Sequence, residues 1–182
     1  MAIYCVNPDC FAQDLEGVLH AARAFDIEGL GPQTVAALLE NEIIHRAPDL
    51  FSLTVEELKS VERFADRSAQ KLVEEIQAKK QISFPRFLLA LGIRNVGEQT
   101  ARDLATHFQT LDVLRNASEQ TLQSIEHIGP IVAESVASFF KKPSVQTLLE
   151  AFQKVGVEVQ PFVVQTAQTL LSGKTIVVTG TL

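Results

Sequence analysis

The sequence predicts a mainly α-helical fold built from four copies of one unit, in which a tight turn joins two helices. Three observations support this prediction. A pattern recurs every 32 to 34 residues, apolar residues follow each turn at helical spacing, and glycine or proline stands where a new helix should begin. All three involve the same positions, so they indicate one repeated architecture.

The repeat is anchored on Gly31, Ala65, Gly97 and Gly129, which are separated by 34, 32 and 32 residues. Apolar residues stay in register with these anchors at positions −4, −1, +4 and +7. The columns contain Ile27, Val61, Ile93 and Ile125; Leu30, Phe64, Val96 and Ile128; Val35, Ala69, Ala101 and Ala133; Leu38, Leu72, Leu104 and Val136. Positions +4 and +7 share one side of a helix, so a helix is expected directly after each anchor.

The turn of each unit is predicted just before its anchor. Pro32 and Pro130 follow their glycines at the first helical position, where a missing N–H costs no hydrogen bond. A glycine in such a turn can adopt positive φ and lets a ligand approach the backbone closely. In the second unit Ala65 replaces the glycine and Asp66 follows, so this turn is expected to be structural only.

The remaining elements follow from local signals. Repeats one and two should cover residues 25–80, with Thr54 and Glu57 forming a capping box between them. Repeats three and four should cover residues 81–142.

The C-terminal part is predicted to change from helix to strand. A helix over residues 144–155 should end with Gly156 at the C′ position. Residues 157–170 form a predicted linker to a single strand, Thr175 to Thr179, which cannot form a sheet alone.

Composition fits a globular protein and excludes several classes. The apolar fraction is 46%, and no apolar run is long enough for a membrane span. The first residues lack the pattern of a signal peptide, and two cysteines do not make a disulfide framework. We therefore expect a cytoplasmic protein without a membrane segment.

Charge is distributed unevenly along the chain. The net charge is −6, which by itself disfavours nucleic acid as a partner. Residues 1–62 contain 3 basic and 11 acidic residues, whereas residues 63–142 contain 11 basic and 9 acidic residues. The middle of the chain is thus able to contact phosphate.

The turns Gly29-Leu30-Gly31, Asn95-Val96-Gly97 and His127-Ile128-Gly129 resemble helix-hairpin-helix motifs. Four such units in succession, preceded by Cys5 and Cys10, resemble the C-terminal half of bacterial NAD-dependent DNA ligases. Residues 25–31 and 87–97 are particularly similar to that family, and residues 171–182 resemble the opening strand of its BRCT domain.

The resemblance implies a mainly α fold of tandem helix-hairpin-helix repeats, with an N-terminal zinc-finger remnant and a single C-terminal strand. The expected domains are a zinc-finger remnant and linking helix (1–24), a four-hairpin domain with a degenerate second hairpin (25–156), a linker (157–170) and a truncated BRCT start (171–182).

The family's function implies non-specific binding of nicked duplex DNA through backbone and minor-groove contacts, with the remainder of the ligase chain as partner. Helix N-termini bind phosphate through backbone N–H groups, so the protein need not be strongly basic. The candidate DNA-binding residues are Gly29, Leu30, Gly31, Arg94, Asn95, Val96, Gly97, Thr100, Arg102, His127, Ile128 and Gly129.

No catalytic constellation is found in the sequence. No lysine is followed by the xDG that adenylation by ligases requires, so the chain alone is expected to be inactive and to hold no cofactor. Cys5 and Cys10 resemble half of a four-cysteine zinc site. For the whole ligase, the resemblance implies NAD, zinc and magnesium.

Two alternatives remain open from the sequence. The hairpins could belong to another DNA-repair protein, such as an excision-nuclease subunit or a Holliday-junction-binding protein. The repeat could also be a helical scaffold that binds only protein partners.

Overall fold

The computed structural model describes residues 11–61 and 64–163, and helices dominate this part of the chain. The mainly α fold is therefore confirmed. In chain order the elements are α1 (Phe11–Phe25), α2 (Pro32–Glu40), a 3-10 helix (Ala47–Ser52), α3 (Val55–Ser60), α4 (Asp66–Ala78), β1 (Gln81–Ser83), α5 (Phe84–Ala90), α6 (Glu98–Phe108), α7 (Leu111–Arg115), α8 (Glu119–Gln123), α9 (Pro130–Phe140), α10 (Pro143–Lys154) and β2 (Glu158–Gln160).

The four predicted helix pairs are present. Helices α1 and α2, α3 and α4, α5 and α6, and α8 and α9 pack against each other within each pair. We number the connecting turns hairpin one (residues 26–31), hairpin two (61–65), hairpin three (92–97) and hairpin four (124–129). Helices α2 and α9 begin at Pro32 and Pro130, as the sequence predicts.

The apolar columns of the repeat form the inner face of the second helices. None of the eight residues at positions +4 and +7 is more than 5% exposed. Position +4 is alanine in three of the four units, and a small side chain there lets the paired helix approach closely. The register of the repeat is therefore set by packing between the two helices of each pair.

Helix α1 is an integral part of the first helix pair. Its inner face buries Val18, Leu19 and Phe25, and the helix packs against both α2 and α5. A domain boundary at residue 25 therefore divides the first pair. The sequence predicts this helix but assigns it to the linking segment, because the repeat is anchored on the helices that follow the turns.

Two short strands join distant parts of the chain. Strand β1 pairs with β2 in parallel, with Ile82 opposite Val159. Residues 158–160, which the sequence places in a linker, therefore belong to the folded unit. A strand of three residues is too short to produce a recognisable alternation in the sequence. The strand predicted at 175–179 lies outside the described residues.

Two predicted helix ends are confirmed. The side chain of Thr54 accepts a hydrogen bond from the Glu57 N–H at 3.3 Å, and the Glu57 carboxylate accepts one from the Thr54 N–H at 2.8 Å. Gly156 follows α10 with a φ of +83°. The next residue, Val157, donates its N–H to the Phe152 carbonyl at 3.0 Å, which closes the helix in a Schellman motif.

Four phenylalanine side chains meet at the centre of the core. Phe25 from α1, Phe51 from the 3-10 helix, Phe87 from α5 and Phe152 from α10 have ring centroids 4.7 to 6.4 Å apart. None of the four is more than 3% exposed. The cluster therefore joins the first helix pair, the third helix pair and the last helix.

None of the helices in residues 11–61 and 64–163 combines the length and the apolar character needed to cross a bilayer.

We predict that Phe152→Ala lowers the free energy of unfolding by about 3–5 kcal/mol, because it leaves a cavity among three other rings. Phe11→Ala is the matched control, since Phe11 is 44% exposed and should contribute little. Urea unfolding followed by circular dichroism measures both. Equal effects of the two substitutions would contradict the central role of the cluster.

Candidate nucleic-acid interface

Three hairpins share one backbone conformation two residues before the anchor. Gly29, Asn95 and His127 have φ values of +88°, +63° and +67°. In hairpins three and four, the N–H of the next residue bonds to a carbonyl three residues earlier: Val96 to Ile93 and Ile128 to Ile125, both at 3.1 Å. A positive φ at the third position of such a turn is the type II conformation.

The anchor glycines themselves are not left-handed. Gly31, Gly97 and Gly129 have φ values of −82°, −98° and −76° and serve as N-caps of α2, α6 and α9. Of the four glycines predicted to bind DNA, Gly29 is therefore the one with a positive φ, and Gly92 at the start of hairpin three also has one, of +64°. A Cβ added to any of the three anchors would meet nothing within 4 Å, so the fold itself leaves room for a side chain.

The helices after these glycines begin without side-chain caps. The side-chain cap bond is absent at the described N-termini of α2, α6 and α9. The first-turn N–H groups of a helix have no partner inside it, and they carry the positive end of the helix dipole. Helices α2 and α9 start with proline, which lacks an N–H, so α6 offers one more backbone donor than either of them.

Hairpin two differs at the same position. The Ala65 N–H donates to the Ser68 hydroxyl at 3.0 Å. Asp66 places its carboxylate at the start of α4 and pairs with Lys59, and this hydrogen bond raises the pKa of the lysine. Like α2, α6 and α9, helix α4 has no side-chain cap bond, but the Asp66 carboxylate places a negative charge at its start. This charge would repel a phosphate, which supports the structural role predicted for this hairpin.

The middle residues of the turns point inward. Leu30 and Ile128 are 8% and 4% exposed, and Val96 is half-buried against the core. Their side chains fix the turns to the helices beneath. A ligand at these positions would therefore contact the backbone rather than the side chain.

Hairpins three and four are linked directly. The Asn95 side chain donates from Nδ2 to the Ser135 hydroxyl at 2.9 Å, and that hydroxyl donates to the Ile131 carbonyl at 2.8 Å. Asn95 therefore holds its turn against α9. The predicted contact residues Arg94 and Arg102 are exposed nearby, while Thr100 is half-buried.

Position +2 of the repeat distinguishes the hairpins. It carries the polar residues Gln33 and Gln99 after hairpins one and three, whereas Ile131 follows hairpin four and is 71% exposed. Sequence reasoning missed this column because it does not contribute to the core. Hairpin four thus presents an apolar side chain where hairpins one and three present an amide.

Metal ligands do not cluster in the described part of the chain. Residues 11–61 and 64–163 contain no group of three or more histidine, cysteine, aspartate or glutamate residues that could hold a metal ion. The predicted half-site, Cys5 and Cys10, lies outside the described residues.

Two family models match the chain. Residues 23–78 match a SAM-like helix-hairpin-helix tandem, and residues 86–149 match a helix-hairpin-helix motif. The first match contains the last three residues of α1 and all of α2 to α4, and the second contains most of α5 and all of α6 to α9. We call these two matched stretches the two tandem units.

Curated relatives match along the whole chain. Proteins named DNA ligase from Anoxybacillus flavithermus and Bacillus cereus are each 40% identical to it, and one from Bacillus thuringiensis is 39% identical. Each match covers 100% of this chain and 28% of the relative. The chain therefore spans little more than a quarter of the length of these relatives.

We predict that Asn95→Ala destabilises the protein by about 1–2 kcal/mol more than Asn95→Gly. Both substitutions remove the hydrogen bond to Ser135, but only glycine accepts a φ of +63° without strain. Urea unfolding of the two variants isolates the conformational contribution. Equal stability of the two would show that the turn relaxes out of the left-handed region.

Proposed function

Because the chain belongs to the bacterial DNA ligase family as a C-terminal part with tandem helix-hairpin-helix motifs, we propose that it binds duplex DNA without sequence specificity. In this role it holds nicked DNA for NAD-dependent sealing by the rest of the ligase, in replication and repair. The observation that carries the proposal is the set of three uncapped helix N-termini, each preceded by a glycine with open space around it.

The chemistry of binding follows from the backbone. A phosphate oxygen accepts hydrogen bonds from the first-turn N–H groups and is stabilised by the helix dipole. A glycine at the N-cap lets the phosphate approach where a side chain would stand. Because these donors are neutral, binding is compatible with a net charge of −6. Contacts of this type carry no information on base sequence.

Hairpins three and four act as a pair. The hydrogen bond between Asn95 and Ser135 fixes the hairpin-three turn relative to α9, which begins at hairpin four. Two N-termini held in this way grip phosphates on the two strands that border a minor groove. The exposed side chain of Ile131 then lies at the same end of α9 as the phosphate contact.

Similarity outside the hairpins favours a ligase over the two alternatives. An excision-nuclease subunit or a Holliday-junction-binding protein would share the hairpin region only. The matches to the DNA ligase relatives span 100% of this chain, including the segments before α1 and after α10. No observation specifically favours a scaffold that binds only proteins.

We expect this chain to supply at most part of a cofactor site of a complete ligase. A structural zinc site needs four ligands, and the sequence supplies Cys5 and Cys10 as its only thiols. The residues present therefore do not complete a zinc site. The adenylation lysine motif is also missing from the sequence, so we expect NAD to bind elsewhere in a complete ligase.

We predict that Gly97→Asp and Gly129→Asp each weaken duplex binding roughly ten- to a hundredfold, because a carboxylate would replace one or two phosphate contacts. Both variants should stay folded. Aspartate is a favourable N-cap residue, and both positions have extended backbone and open space. Fluorescence anisotropy with a labelled nicked duplex measures the binding, and circular dichroism checks the fold.

Ala65→Asp is the matched control for these variants. It makes the same change at the anchor of hairpin two, where Ser68 and Asp66 already occupy the helix start. Its effect on DNA binding should be less than about twofold. Folded Gly97→Asp and Gly129→Asp proteins that bind as the parent does would refute the proposed interface.

We also predict that the chain alone neither ligates DNA nor adenylates itself with NAD, because it lacks the lysine motif for that step. Incubation with NAD labelled in the adenylate, followed by denaturing electrophoresis, tests this. A labelled band at the mass of the chain, 20.0 kDa, would show an adenylation site that the sequence does not reveal.

A further inference from the structure

Three arginines from three different helices converge on one recess beside hairpin three. Arg23 of α1, Arg86 of α5 and Arg102 of α6 line it together with His20, and Gly97 lies at its edge. We call this the basic recess. Of these residues, the sequence analysis assigned only Arg102 and Gly97 to DNA binding.

Two side chains of the basic recess are fixed by the fold. Arg86 donates from Nε to the Ala24 carbonyl at 2.8 Å, and its Nη2 lies 3.9 Å from the Asp26 carboxylate. His20 donates from Nε2 to the Leu89 carbonyl at 2.6 Å. These bonds hold the walls of the recess, which are formed by α1 and α5.

The other two arginines are available for a ligand. Arg23 and Arg102 are exposed, and neither forms an ion pair or a side-chain hydrogen bond with another residue in the described ranges. Both guanidinium groups keep all five donors. The planar guanidinium group can donate two parallel hydrogen bonds to two oxygens of one phosphate group.

The charge of the basic recess distinguishes it from the other concave surfaces. Three arginines and one carboxylate, Glu98, line it. The cleft beside α7 and α10 has the opposite balance, with Arg115 against Asp112 and Glu150. In a protein with a net charge of −6, a recess with this excess of cations indicates an anionic ligand.

We propose that the basic recess binds backbone phosphate of duplex DNA through Arg23 and Arg102, on the strand that hairpin three holds. This inference rests on the proposed function, because it assumes that a DNA strand bound at hairpin three passes Gly97. Phosphates follow one another about every 3.4 Å of helix axis along each strand. A strand held at the start of α6 therefore carries its neighbouring phosphates across the edge of the recess.

The proposal extends the DNA contact beyond the turns. Arg23 lies on the first helix of hairpin one, and Arg102 lies in the second turn of α6. Helices α1 and α5 pack against each other, so the recess spans both tandem units. One bound strand would then contact both units at once.

The test is the salt dependence of DNA binding by Arg23→Gln, Arg102→Gln and the double variant. Each lost phosphate contact should lower the slope of log K against log salt by about 0.9. At low salt each single substitution should weaken binding about three- to tenfold, and the double substitution more. Arg23→Lys keeps the charge and should retain the slope while losing part of the affinity.

Arg115→Gln is the matched control. It removes the same charge from an exposed arginine whose partner, Asp112, lies 3.4 Å away in the cleft beside α7. Its slope and affinity should equal those of the parent. An equal loss of DNA affinity in Arg23→Gln and Arg115→Gln would show that binding depends only on net charge. This result would overturn the proposal.

The outcomes separate the recess from the hairpins. If Gly97→Asp weakens binding while the Arg23 and Arg102 variants bind as the parent does, the basic recess is not a phosphate site and the proposed function stands. If the parent itself does not bind duplex DNA, the proposed function fails first and this inference fails with it.

Discussion

The positions of the hairpins depend on one contact, the packing of Phe25, Phe51, Phe87 and Phe152 around a common centre. Two short helices joined by a tight turn have too little apolar surface to be stable alone. The rings come from α1, the 3-10 helix, α5 and α10, so they join units that are distant in sequence. Burying them also fixes α1 against α5, and that contact forms the walls of the basic recess.

With the helices fixed in this way, the turns can be rigid without large interfaces of their own. An apolar residue such as Ile128 packs each turn against the core, and a residue with positive φ, such as Asn95, reverses the chain direction. The anchor glycine then faces outward with no neighbour in its side-chain space. Side chains therefore maintain the shape, and the backbone is left to contact the ligand. A protein that must act on any DNA sequence benefits from this division, since backbone donors do not read bases.

The sequence predicted the parts of this structure that depend on close packing within one unit. Buried positions such as Ala101 and Leu104 recur because two helices in contact allow few alternatives. The left-handed positions could not be read correctly, because asparagine and histidine occupy them as well as glycine, and the anchor glycines use ordinary extended backbone. Strand β2 has three residues and no period to detect. The basic recess is lined by both Arg23 and Arg102, and no local pattern encodes a shared surface for residues so far apart in sequence.

Net charge is a poor guide to DNA binding in this protein because electrostatic interactions are local. At physiological ionic strength, charges on the surface are largely screened beyond about 8 Å. The acidic residues that dominate the first 62 positions therefore affect a phosphate at Gly97 only where they lie within that distance, and the one carboxylate that lines the recess, Glu98, comes from outside that segment. Within that distance, the helix N-terminus and the arginines of the recess outweigh the single carboxylate. The same reasoning implies a modest number of ionic contacts. Affinity that comes largely from neutral backbone donors should decline less steeply with salt than in a strongly basic protein of equal affinity.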